Sequence, residues 1–156
     1  MKRSIAVLLT VLLLTLSACG QKPAPTRREL AQTETGWDVT YMDKAKEYTP
    51  PEGLTLVVLP KEGRVLHFSI RNDRNEVWYG DYAASGQMQA LVDGEWYVIP
   101  DTETPTSGGA SLTMVGGPVQ IQPGNTLETS FVPGNFPPGQ YRRIWNGVAL
   151  PFEILP

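Results

Sequence analysis

"FPPGQYRRIWNGVALPFEI", residues 136–154, decides the fold of this chain. It opens on a Pro-Pro-Gly turn, runs through 140–145, reverses at Asn146-Gly147 and returns through 148–154. Asn-Gly between two apolar runs is a strong hairpin signal, because both central residues of a type I′ turn need positive φ. In the return strand Val148, Leu150, Phe152 and Ile154 share one face, at the period of two that a half-buried strand shows. Pro151 cannot donate to a sheet ladder, so it places this strand at an edge or a bulge. Tyr141 follows the Pro-Gly turn at the start of a late strand, the position of a tyrosine corner whose hydroxyl bonds back to the upstream backbone.

The same grammar extends upstream. Residues 54–59 are an apolar run, and Leu66, Phe68 and Ile70 alternate with Val65, His67 and Ser69. An aromatic-rich run covers 77–82. Met88, Ala90 and Val92 alternate up to Asp93-Gly94, a second hairpin turn, and 95–99 is its return strand. Short strands are expected at 111–115 and 119–122, and Leu127, Thr129 and Phe131 alternate again. With 15 Gly and 14 Pro, little room remains for long helices. The expected fold is all-β, an antiparallel immunoglobulin-like β-sandwich of about seven to nine strands.

Three stretches carry a family likeness: 75–100, 121–132 and 136–154. With Asn72, Tyr79-Gly80, Asp93-Gly94-Glu95-Trp96, Pro123-Gly124 and Gly139-Gln140-Tyr141-Arg142, the chain resembles a bacterial immunoglobulin-like domain family common in lipoproteins and surface proteins of Gram-positive bacteria. The resemblance covers most of 54–154 and implies a fold and a setting rather than a reaction. Arg143 departs from it, standing where the family tends to be apolar, and a bulge is expected there.

At the other end, Lys2 and Arg3 precede an apolar run from Ile5 to Leu16, the charged and apolar regions of a secretory leader. The run falls short of the roughly 20 residues that cross a bilayer. Leu16-Ser17-Ala18-Cys19 then resembles the lipobox of bacterial lipoproteins, which implies a diacylglyceryl thioether on Cys19 and cleavage before it. The alternative is an ordinary leader cut near Ala18 that leaves Cys19 a free thiol. As Cys19 is the only cysteine, lipidation leaves none for disulfides, zinc or thiol catalysis. The expected organisation is a leader over 1–18, a lipidated N-terminus and linker or arm over 19–49, and the sandwich over 50–156. Residues 21–35 read as linker, while Trp37, Val39 and Tyr41 alternate like an extra strand or an arm on the domain.

Charge and chemistry narrow the function. Removing Lys2 and Arg3 with the leader leaves 11 basic against 16 acidic residues, a net charge of −5. An acidic chain of this kind is no electrostatic partner for nucleic acid. His67 is the only histidine, so a Ser-His-Asp site would have to use it, and alternation puts it on the outer face. "RNDRNE" at 71–76 offers oxygen ligands for Ca²⁺, but Arg71 and Arg74 oppose a cation, and Asx turns fit better. No metal, cofactor or catalytic residue is assigned.

The aromatics are the remaining candidates. Trp96 and Tyr141 are expected as core anchors, while Trp78 and Tyr82 stay open as contacts to a ligand or partner. The expectation is a non-catalytic binding or structural accessory module, lipid-anchored on the extracytoplasmic face of the cell membrane. Its partner would be an envelope protein, a peptide or a glycan. The alternative is a protease inhibitor acting through the exposed loop at 102–109.

Overall fold

The computed structural model describes residues 23–80, 86–100 and 119–156. Cys19, Tyr82, the loop at 102–109 and the strand expected at 111–115 lie outside the described residues. Among the described residues the chain is an all-β antiparallel sandwich with one short α-helix and one 3₁₀ turn, Val39–Tyr41. Ten strands run in chain order: β1 (Asp43–Lys44), β2 (Leu54–Val58), β3 (Leu66–Asn72), β4 (Trp78–Tyr79), β5 (Gln87–Val92), β6 (Glu95–Val98), β7 (Gln120–Ile121), β8 (Thr126–Phe131), β9 (Gly139–Trp145) and β10 (Val148–Ile154). They form a five-stranded sheet, β1-β6-β5-β9-β10, a three-stranded sheet, β2-β3-β8, and the pair β4-β7.

Turn chemistry sets the two hairpins of the larger sheet. Asp93 and Gly94 have φ of 50° and 83°, and Asn146 and Gly147 have 48° and 79°, the doubly positive signature of type I′ turns. These turns match the right-handed twist of the strands, so β5-β6 and β9-β10 close without a bulge. β9 and β10 pair in unbroken register from Val148↔Trp145 to Ile154↔Gly139. The bulge expected at Arg143 is therefore absent. Arg143 keeps the inward position opposite Leu150 and lays its guanidinium over Phe131, 5.1 Å from the ring centroid. The long stem lets the head lie against that ring, so the strand keeps its register without a bulge. Pro151 sits in β10, an edge strand, where a missing N–H costs no ladder bond.

A chain of aromatic rings joins the layers. Phe68 of β3 stacks on Phe131 of β8, Phe131 meets Phe152 of β10 edge-on at 5.4 Å, and Phe152 stacks on Tyr141 of β9 at 5.3 Å. Tyr141 stacks in turn on Phe136, which leans on Trp37. Each such pair contributes about 0.5–1.5 kcal/mol beyond the area it buries.

The last ring in that chain belongs to the N-terminal arm. Residues 21–35 read as a linker, yet α1 (Arg27–Ala31) forms there, and Ala31 is fully buried in the core cluster. Thr26 and Glu29 make a capping box: Glu29 N–H donates to Thr26 Oγ1 and Thr26 N–H to Glu29 Oε2. The physical reason lies in the sheets. A five-stranded sheet is about 10 Å wider than the three-stranded sheet facing it, and the arm supplies apolar cover that the smaller sheet lacks. Arg27 then grips Asp43 with two hydrogen bonds of 2.9 and 2.8 Å, and β1 extends the sheet beyond β6. This arm and the strand it carries are thus part of the sandwich.

Candidate functional site

Tyr141 is the pivot between arm and sandwich. Its hydroxyl donates to the Pro137 carbonyl at 2.6 Å and accepts from the Trp37 indole N–H at 2.9 Å. The first bond, four residues back, is the geometry of a tyrosine corner. Burial pushes the Tyr141 phenol above its ordinary pKa, and the Trp37 bond pulls the other way. A second buried hub is Asn72 at the end of β3. Its amide donates to the carbonyls of Glu76 and Ile121, both at 2.8 Å, and its oxygen accepts from Arg74 N–H. That last bond is the Asx turn expected for "RNDRNE". Among the described residues no three His, Cys, Asp or Glu side chains are grouped to hold a metal.

Beyond Asp43 and Lys44 the chain crosses the outer face of the five-stranded sheet. Ala45 N–H donates to the Trp96 carbonyl, and the Tyr48 hydroxyl accepts from Ala149 N–H. Between them lies Arg142, 4.2 Å from the Trp96 ring centroid and 5.1 Å from that of Tyr48. Arg142 Nε donates to Gln89 Oε1 at 2.7 Å, and Gln89 passes the bond on to Gln87. Gln89 points outward from the sheet yet is only 3% exposed, because this stack covers it. The enclosure lowers the pKa of the Arg142 guanidinium.

The stack corrects the expectation for Trp96. A two-residue turn at 93–94 pairs Val92 with Glu95, Leu91 with Trp96 and Ala90 with Tyr97. Since Met88 and Ala90 face the core, Tyr97 and Ile99 follow them inward, and Trp96 is left half-buried on the outer face. Trp78, open as a contact to a ligand or partner, is 5% exposed and paired across from buried Ile121. Its neighbour Tyr79 takes the outward position at 61% exposure.

Tyr48, Trp78 and Tyr79 meet at a cleft of about 320 Å³ at the Asn146-Gly147 end of the sandwich. The arm contributes Glu47 and Tyr48, β4 contributes Trp78 and Tyr79, and the β9-β10 hairpin contributes Ile144 and Asn146. Gly80 is needed beside it, because a Cβ there would stand 2.7 Å from the Cβ of fully buried Asn146. The volume lies at the lower end of small-molecule sites, about 300–1,000 Å³. A flat exposed phenol, a second aromatic wall and one carboxylate are suited to stacking and hydrogen bonding. Glu47 and Tyr48 escaped the sequence reading because the charged stretch ahead of β2 carries no period that would place them here. Arg142 was legible as an outward residue, since its neighbour Tyr141 faces in.

His67 lies on the outer face of the three-stranded sheet, cross-strand from Ser130. Its Nε2 is 3.9 Å from the Glu62 carboxylate, beyond hydrogen-bonding reach. Fold and cleft together define the class as an all-β antiparallel sandwich with an arm-braced aromatic cleft at one end. Comparison of the chain with protein-family models, with curated proteins and with solved structures returns no match.

Proposed function

We propose that this chain is a lipid-anchored, extracytoplasmic binding module without catalytic activity, holding an envelope protein, peptide or glycan through the cleft. The observation that carries the reading is Tyr79, 61% exposed at the rim of a cleft walled by Tyr48 and Trp78. An exposed ring beside a hollow that carries the Glu47 carboxylate matches the aromatic anchors that dominate recognition surfaces. The anchor is the thioether proposed on Cys19, where each buried CH₂ contributes about 0.8 kcal/mol.

The layout supports the same reading. The arm is fastened at the β8-β9 connection, where Gln32 donates to the Asn135 carbonyl and Arg28 lies over Phe136. The cleft lies at the far end of β9, a seven-residue strand of about 3.3 Å per residue. A tether leaving the arm would thus present the cleft away from the bilayer.

Capture of partners from the native membranes by the full chain tests the cleft, with Tyr79→Ala as the comparison. The expected result is a discrete partner or glycan set that Tyr79→Ala loses while its melting temperature stays unchanged. Equal capture by both forms would refute the role of the cleft. The anchor is tested separately: alkynyl fatty-acid labelling is expected on the parent chain and absent from Cys19→Ala.

A further inference from the structure

The two sheets treat their edges differently. On β10, the edge of the five-stranded sheet, Ala149 N–H points away from β9 and is capped by the Tyr48 hydroxyl. Two residues on, in the same orientation, Pro151 has no N–H to offer. That edge is closed to a further strand. β2, an edge of the three-stranded sheet, carries neither device. Its sequence is Leu-Thr-Leu-Val-Val, without charge or proline, and Val57 and Val58 are 48% and 56% exposed. Among the described residues no strand pairs with its outer side. An uncharged, β-branched edge of this kind is a template for another strand.

We propose that β2 is a self-association surface, on which a second copy of this chain adds its own β2 antiparallel, centred on Leu56. The register follows from hydrogen-bond direction. Leu59 N–H donates to the His67 carbonyl, so alternation turns Val57 and Thr55 toward β3 and turns Leu54, Leu56 and Val58 outward. Three outward N–H groups with their carbonyls are self-complementary about Leu56: Leu54 faces Val58 of the second copy, and Leu56 faces Leu56. Each copy donates three bonds and accepts three. At the flanks Glu52 faces Pro60 of the second copy and symmetry repeats this at the other end, so no like charges stand opposite one another there. Val57 meets Thr55 on the outer face and Val58 meets Leu54 on the inner, so both exposed valines become covered. The contact is a closed two-fold one and stops at two copies.

Cross-linking of the full chain tests the register. Thr55 and Val57 form a non-hydrogen-bonded pair, for which Cα atoms lie about 4.5 Å apart, within disulfide range. Identical positions are diagonal neighbours at about 7–8 Å and are out of range. Two differently tagged chains, Thr55→Cys and Val57→Cys, are co-produced and mildly oxidised, with the parent chain and its single Cys19 as background. The expected result is a disulfide-linked dimer from the mixture and none above background from either variant alone. Val58→Pro, added to both chains, removes an outward N–H without breaking a bond to β3, and is expected to abolish the dimer while thermal melting shows an intact fold. A mixture without a linked dimer overturns the proposal, as does a dimer of equal yield from Thr55→Cys alone or one that survives Val58→Pro.

Discussion

Replacing Tyr141 by phenylalanine removes one oxygen and breaks two bonds at once. The Pro137 carbonyl, buried behind the ring, loses its donor, and the Trp37 indole N–H loses its acceptor. A buried polar group left unpaired costs about 1–3 kcal/mol, and a part-buried one nearer 1 kcal/mol. The stacking on Phe136 and Phe152 survives, because the ring is kept. The expected loss is about 2–4 kcal/mol. At about 4 °C per kcal/mol for a domain of this size, the melting temperature falls by roughly 8–16 °C. Thermal unfolding followed by circular dichroism measures it. A double-mutant cycle with Trp37→Phe then isolates the arm: the pair shares a hydrogen bond, so a coupling of about 1 kcal/mol is expected. A loss below about 0.5 kcal/mol for Tyr141→Phe, or strict additivity with Trp37→Phe, would refute the claim that this hydroxyl latches the arm to the sandwich.

Two further predictions concern charge. Arg143 faces inward without a carboxylate partner among the described residues, and burial pushes its guanidinium below the ordinary arginine pKa. Arg143→Leu exchanges that desolvation for apolar packing and is expected to raise stability by about 1 kcal/mol, visible as a rise in melting temperature; a fall would show that the contact with Phe131 outweighs it. The arm should also release in acid. The hydrogen bonds from Arg27 hold Asp43 below the usual carboxylate pKa, and Lys44 does the same for Glu95. A depressed folded pKa contributes stability that is present above the unfolded value, about 3.9 for Asp, and lost as pH falls through the folded one. Between pH 6 and pH 2, amide exchange corrected for intrinsic rates is therefore expected to accelerate in residues 27–44 before it does in β9; simultaneous loss would count against a separately docked arm.

Much of the sandwich was legible because strands announce themselves locally. Asp93-Gly94 and Asn146-Gly147 carry the φ requirement of their turns in two letters, and Val148, Leu150, Phe152 and Ile154 carry their shared face in a period of two. Trp96 was misplaced although the signal was present, since the turn length and the apolar face of β5 jointly send Tyr97 inward. α1 also had its mark: Thr26-Arg27-Arg28-Glu29 is a capping-box pattern, outweighed by a composition that looked unable to fold alone. The cleft had no such mark, because Tyr48, Trp78 and Ile144 come from separate segments and meet only through tertiary packing.

From its residues alone this chain is all-β, with two tight hairpins, a tyrosine at a strand corner and a proline confined to an edge. Those properties are local: each depends on a φ angle, a missing donor or an alternation spanning a few residues. Which tryptophan lies inside, how the arm braces the wider sheet, where the cleft opens and which edge stays uncapped were decided by tertiary structure. Each depends on what another segment brings within a few ångströms, and no local period encodes that distance.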